Sequence, residues 1–360
     1  MKNQLLFIAF ILAFLGEIKT SFAQNTTLNP WSMSAPQMTN AQIMAIPNPQ
    51  VGWMVYDTDA QCLRLYTNSA SNPGWQCLGT TTSPGTTGWI VSGFNPDFKD
   101  MVVANNAIYI VGSYSFGNGV TIPTVVGGRD VFVAKYNFAG VLQWFSRAGG
   151  TLQDEATAID IIGNEIFITG NFNGTGSFGS SIVTSAGGQD VFVAKINDSG
   201  AWQWATAVGG TGTDIAKGVA ALKIPSGGYG ATICGAFNGT ASFGTNSFTS
   251  AGATDAFMAN TDTNGGITTA YAYGGAGADV ANDIFQSELA NTSIIVGSFE
   301  QSMVIGTQTL TSAGGKDGFL LGRWNNNLST YLTKSFGGTD DDEALKIVGT
   351  GKYVAGTVIG

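Results

Sequence analysis

The sequence predicts an all-β fold: a β-propeller built from four-stranded blades of about 62 residues, four complete and a fifth partial, behind a small α+β module. Three observations predict it. One stretch is written four times, as GGRDVFVAKYNFAGVLQWFSRAGGTLQD (Gly127 to Asp154), GGQDVFVAKINDSGAWQWATAVGGTGTD (Gly187 to Asp214), GATDAFMANTDTNGGITTAYAYGGAGAD (Gly252 to Asp279) and GGKDGFLLGRWNNNLSTYLTKSFGGTDDD (Gly314 to Asp342). Three markers share its period, which is the signature of a repeat architecture: an Asp opening the central strand (Asp130, Asp190, Asp255, Asp317), an Asp after a Gly-Gly pair (Asp154, Asp214, Asp279, Asp342) and a Gly ending an apolar run (Gly112, Gly170, Gly235, Gly297, Gly356). Within one period the second copy reads as four strands and no helix, EATAIDIIG, EIFITGNF, DVFVAKIN and AWQWATAV, parted by turn residues. VFVAK is apolar on both faces, Val131 and Val133 on one and Phe132 and Ala134 on the other, so each sheet is expected to be covered on both sides, as a propeller blade is. A parallel β-helix is the runner-up, but its coils are shorter.

Taken in order, the chain opens with Lys2, an apolar run from Leu5 to Leu15 and a Ser21-Phe22-Ala23 stop, the pattern of a secretory signal peptide over residues 1–23. The run is too short to span a bilayer, and no later segment approaches the length a membrane helix needs. The mature chain is therefore expected to be exported, secreted or at the cell surface, with no transmembrane segment.

Residues 24–78 have a different texture. Thr39 precedes a short helix built on Ala41, Ile43, Met44 and Ala45, which Pro47 stops. VGWMVYDTD and CLRLYTN alternate as two strands, and GWQCLG adds a third piece. Through Pro36, Met38, Thr39, Ala41, Gln42, Gly52, Val55, Tyr56, Thr58, Asp59, Trp75 and Leu78 the stretch resembles a small module near the start of exported Bacteroidetes proteins and in some phage tail fibre proteins. The resemblance implies display or a connecting role and no defined chemistry. Cys62 and Cys77 lie close together here, and export to an oxidising compartment makes them the candidate disulfide, with two separately buried thiols as the alternative. Cys234, in GATICGAF, is expected to pack as a small apolar residue. Residues 79–88, GTTTSPGTTG, are a linker by composition.

Residues 89–360 form the repeat region. The pattern "G-G-x-D-x-F-V-A-K-x-x-x-x-G-x-x-x-W-x-x-x-x-G-G-x-x-x-D", followed by "G-x-F-x-G-x-x-x-F-G", resembles the bacterial SBBP-type β-propeller repeat of exported Bacteroidetes proteins; copies three and four depart from it with Asn260 and Gly322 where Lys135 and Lys195 stand. The resemblance implies a propeller in a surface or secreted protein and transfers no catalytic residue. Residues 342–360 supply only two strands of a fifth copy. Either GWIVSGF (Gly88 to Phe94) returns to complete it, or the chain is the front part of a longer protein; the second is the expectation.

Function is less legible. The chain has 11% charged residues, a net charge of −9 and no histidine, which argues against nucleic acid and removes the usual general base and commonest metal ligand. Asp154, Asp214, Asp279 and Asp342 are the candidate binding carboxylates. They recur once per blade, so they read first as turn residues that tie down backbone N–H groups, and second as calcium ligands or an acid and base pair. Polar loops at NTDTNGG and at Asp340 to Glu343, and the Asn-Gly-Thr triplets at Asn173 and Asn238, read as turns. Trp144 and Trp204 share a repeat position that holds Thr269 in copy three and, in copy four, Leu332 counted back from Gly-Gly or Tyr331 counted forward from Asp317, since that copy has one extra residue; this fits a packing slot better than a sugar-stacking ladder. Phe132, Phe192, Phe257 and Phe319 read as blade core. The expectation is a non-enzymatic exported scaffold that binds a protein or a glycan and needs no cofactor. The alternatives are a carbohydrate-active enzyme using carboxylates at the propeller mouth, and a purely structural surface protein.

Overall fold

A computed structural model describes residues 37–47, 49, 54–57, 59, 62–69, 72–77, 94–117, 122–138, 140–287, 291–325, 329–350 and 353–359. The expected signal peptide, the linker and all of GWIVSGF except Phe94 lie outside the described residues. The first elements are β1 (Gln37–Met38), α1 (Asn40–Met44), β2 (Met54–Asp57), β3 (Cys62–Ser69) and β4 (Asn72–Cys77). Thr39 caps α1: its hydroxyl accepts from the Gln42 N–H, and its own N–H donates to the Gln42 side chain at 2.8 Å, which ties the first turn from both ends. β2, β3 and β4 pair antiparallel, and β1 adds a parallel two-residue piece that the sequence pattern does not signal. Cys77 lies opposite Arg64, two positions along β3 from Cys62. The side chains of both cysteines lie outside the described residues, and so does the disulfide expected of them.

The repeat region is a series of antiparallel meanders. Unit one is β5 (Phe94–Ala104), β6 (Ala107–Gly117), β7 (Asp130–Asn137) and β8 (Leu142–Gly150); unit two is β9 (Glu155–Ile162), β10 (Glu165–Phe178), β11 (Ser181–Asn197) and β12 (Trp202–Gly210). Unit three is β13 (Ile215–Lys223), β14 (Tyr229–Phe237), a hairpin of β15 (Thr240–Phe243) and β16 (Asn246–Thr249), then β17 (Asp255–Thr261) and β18 (Ile267–Tyr273). Unit four is β19 (Val280–Ser287), β20 (Thr292–Ile305), β21 (Gln308–Trp324) and β22 (Thr330–Phe336), and β23 (Glu343–Thr350) with β24 (Tyr353–Ile359) begins a fifth. The protein is all-β with several antiparallel sheets, and α1 is its one helix among the described residues.

Two features go beyond the sequence expectation. The second and third strands of units two and four continue as a long hairpin through the G-x-F-x-G stretch, and the arm of that hairpin crosses to the preceding unit. Gly176 and Ser177 pair with Gly150 and Gly149, Ser242 and Ala241 with Gly209 and Gly210, and Val304 with Gly274. The fifth marker glycine is also misplaced. Gly112, Gly170, Gly235 and Gly297 sit at a bulge opposite the first strand, where a Cβ would stand about 2 Å from the carbonyl oxygen of Asp97, Glu155, Ile215 or Val280, and close to the ring of Phe132, Phe192, Phe257 or Phe319. In the fifth copy the equivalent register position is Val358, two residues beyond Gly356.

The apolar strands are covered on both sides, as their sequences demand. β7 and β11 are buried along five consecutive residues, Asp130 to Ala134 and Asp190 to Ala194. One core joins units one and two through Tyr109, Val133, Phe172, Phe178 and Phe192; a second joins two and three through Phe167, Phe237, Phe243 and Phe257; a third joins three and four through Met258, Phe299 and Phe319. Ile294, Val296, Ala344 and Ile347 begin the next. Successive first strands lie beside one another, β5 by β9, β9 by β13, β13 by β19 and β19 by β23.

Candidate functional site

The repeat aspartates resolve into two sets of clamps. Asp130, Asp190, Asp255 and Asp317 each accept a hydrogen bond from the N–H four residues earlier, of Val126, Ala186, Ala251 and Ala313, at 2.9, 2.7, 3.2 and 2.9 Å. Asp154, Asp214, Asp279 and Asp342 each accept from the second glycine of the preceding pair, Gly150, Gly210, Gly275 and Gly338, at 2.7, 2.7, 2.8 and 2.7 Å. Asp154 and Asp214 reach a second turn as well, through the N–H of Asn173 at 3.2 Å and Asn238 at 3.1 Å. The two sets face each other across the first glycine of the pair: a Cβ on Gly209 would lie 2.6 Å from Asp214 Oδ2 and 2.8 Å from Asp190 Oδ1.

Among the described residues, unit one supplies a counter-charge, Arg147, 2.8 Å from Asp130; the aligned positions in the other units are Ala207, Ala272 and Ser335. Burial raises Asp190 to about 6, with its N–H bonds opposing and Asp214 adding to the rise. Burial likewise raises Asp279 to about 7, with the Gly275 bond opposing and Asp255 adding. These four candidate carboxylates lie in four different units and are not brought together. Among the described residues no three His, Cys, Asp or Glu side chains assemble as a metal site.

The two tryptophans at the shared repeat position are packing residues. Trp144 Nε1 donates to the Asp198 carbonyl at 2.9 Å and Trp204 Nε1 to the Thr263 carbonyl at 3.1 Å, so each holds the turn between the last two strands of the next unit. The strand register assigns Leu332 to this slot in unit four. Asp262 accepts from the N–H groups of Asn264 and Gly266, which makes NTDTNGG a turn. Cys234 is free and fully buried.

A different set of residues meets where the first strands run side by side. The five first strands line one cavity of about 520 Å³, and Asp100, Asp160, Asp283 and Lys346 are its charged groups. The position just past each bulge is Asp100, Ala158, Gly218, Asp283 and Lys346 in turn, so here the copies disagree. Each acid fastens its strand to the next unit: Asp100 accepts from Ile159 N–H at 3.1 Å, Asp160 from Ala221 N–H at 2.7 Å and Asp283 from Ile347 N–H at 3.0 Å. Gly218 leaves room for Asp283, whose Oδ1 would lie 3.0 Å from a Cβ there. Burial raises all three carboxyls, Asp160 to about 6; the Lys346 charge opposes the rise at Asp100 and Asp283. Burial pulls the Lys346 ammonium down, and Asp100 and Asp283 overcome it and hold the group above its ordinary value. Sequence reasoning missed this set because the position just past the bulge, although it follows the marker Asp by a constant spacing, holds a different residue type in each copy, Ala158, Gly218, Asp283 and Lys346, and Asp160 lies off it.

No known family profile matches the chain. Over 228 residues it is 27% identical to a protein named "Regulatory protein FlaEY" from Caulobacter vibrioides, a span of 59% of this chain and 24% of that protein. The chain thus matches about a quarter of that relative's length. No helix among the described residues is long and apolar enough to cross a membrane.

Proposed function

We propose that the chain is an exported β-propeller scaffold of the SBBP-repeat kind, at the cell surface or secreted, which binds a protein or a glycan and performs no chemistry of its own. The single observation that carries the reading is the contrast between its two sets of acids. The repeated carboxylates each accept a backbone N–H of a turn, unit after unit, while the residues facing the shared cavity change from unit to unit. Repetition supports the scaffold, and unit-specific residues around a shared cavity support recognition. Four meanders and the hairpin that begins a fifth, with first strands that run side by side along that cavity, support the propeller. A regulatory role, the one in FlaEY's name, is also exercised by binding. The test is an affinity screen of the full chain against glycans and envelope proteins. Saturable binding of at least one is expected, and an empty screen with folded protein would overturn the reading in favour of a purely structural surface protein.

One observation favours a second reading, a carbohydrate-active enzyme: Asp100, Asp160 and Asp283 are unit-specific carboxylates in one cavity, and Asp160 titrates near 6. Their bonds to neighbouring strands weigh against it. Glycoside hydrolysis by the chain that disappears in Asp160→Asn, with the fold intact, would establish the enzyme.

A further inference from the structure

Unit four differs from its sisters at the outer edge. One step past the bulge in the last strand, units one, two and three carry Leu142, Trp202 and Ile267, opposite Tyr136, Ile196 and Thr261; unit four carries Thr330, opposite Arg323. In units two and three this side chain closes against the tip of the unit's own hairpin. A Cβ on Gly179 would lie 3.0 Å from Trp202 Cβ, and one on Gly244 would lie 2.9 Å from Ile267 Cβ. In unit four the tip glycine, Gly306, has nothing within 4 Å of that point, and Ile305 stands where Phe178 and Phe243 stand in the others. The missing volume is a cleft of about 350 Å³ between the hairpin tip and β22.

Its chemistry is neutral. No charged side chain lines it; Thr307, Gln308, Thr330 and Thr333 supply hydroxyls and an amide, and the enclosed Thr333 hydroxyl has no hydrogen-bond partner. Tyr331, the bulge residue where the other units have Gln143, Gln203 and Thr268, forms the rim. Its ring lies over Gly322 and meets Trp324 at 4.8 Å between centroids, and both rings are 40% exposed.

We propose that this cleft binds a neutral sugar residue of a glycan. Sugar C–H faces pack on the electron-rich faces of aromatic rings, and their hydroxyls need the two-way hydrogen bonding that Thr and Gln offer. The volume lies at the low end of the roughly 300–1,000 Å³ typical of small-ligand sites, which suits one or two sugar rings. The absence of lining cations argues against acidic sugars and phosphate. The inference rests on the glycan branch of the function proposed above.

The experiment is calorimetric and saturation-transfer titration of the full chain with glucose, galactose, mannose, N-acetylglucosamine and their disaccharides. Binding of at least one is expected. Thr330→Trp, which fills the cleft as unit two does, and the surface change Tyr331→Ala should each weaken it roughly tenfold with an unchanged melting temperature. Thr333→Val should weaken it about threefold. Sugar binding that survives Thr330→Trp and Tyr331→Ala would overturn the cleft as the site while leaving the wider glycan reading in place. Binding confined to acidic sugars or to proteins would overturn the neutral-sugar site and leave the scaffold reading in place, whereas a chain that binds neither sugars nor proteins would overturn that reading with it.

Discussion

Asp214 holds the N–H groups of Gly210 and Asn238, and Asp214→Ala would leave the buried Gly210 N–H unpaired, while the N–H of Asn238, an exposed turn residue, can turn to water. A buried group left unpaired costs about 1–3 kcal/mol, and a loss in that range is expected from urea denaturation. The acids also set a pH dependence. An unfolded Asp titrates near 3.9, whereas burial raises Asp190 and Asp160 to about 6 and Asp279 to about 7. Between those values the folded state keeps protons that the unfolded state has released. The stability these groups contribute is full below about pH 4 and is lost as pH rises through about 6 to 7. The urea midpoint should therefore fall across that interval, and the double change Asp190→Asn and Asp279→Asn should flatten the slope. The clamp role was legible in the sequence because the acids recur in every unit. Thr330 and Tyr331 were not, because copy four carries one extra residue, so counting forward from Asp317 and back from Gly-Gly give different alignments, and the strand register decides for the second.

At the scale of the element, the first-strand bulge depends on a glycine opposite it. Gly170→Ala would drive a methyl group to 2.0 Å from the Glu155 carbonyl oxygen and 2.7 Å from the Phe192 ring, with a cost of about 3 kcal/mol expected in thermal or chemical unfolding. Trp204→Phe keeps most of the packing but loses the bond to the Thr263 carbonyl, so a smaller loss of about 1 kcal/mol is expected. The number and order of strands could be read from turn residues and apolar runs. The length of β10 and β11 could not, because GTGSFGSS looks like a loop until its arm finds the Gly-Gly pair of the preceding unit. Gly356 misled for a related reason: a glycine was counted by spacing, whereas the bulge between Ala344 and Lys346 puts Val358 in the equivalent register.

At the scale of the whole molecule, neighbouring units are joined by apolar cores between sheets, by hairpin arms and by carboxylates on the first strands. Asp283 is the central link between units four and five, through Ile347 N–H and its ion pair with Lys346 at 3.8 Å. Asp283→Ala should raise hydrogen exchange in β23 and β24 while leaving units one and two at parental rates, because contacts in a repeat chain are made to nearest neighbours. Uniform acceleration across all units would count against that account. The sandwiching of the sheets followed from VFVAK alone, but the cavity acids were hidden because they do not recur: Asp283 stands where Ala158, Gly218 and Lys346 stand in other units. The hairpin arms carry one more consequence. Each reaches back toward the amino end, so as the chain leaves the ribosome every unit waits for its successor to cover the Gly-Gly end of its last strand. An interrupted nascent chain therefore has an uncovered strand at its newest unit, and chaperone capture or mispairing with a second chain is expected to concentrate there.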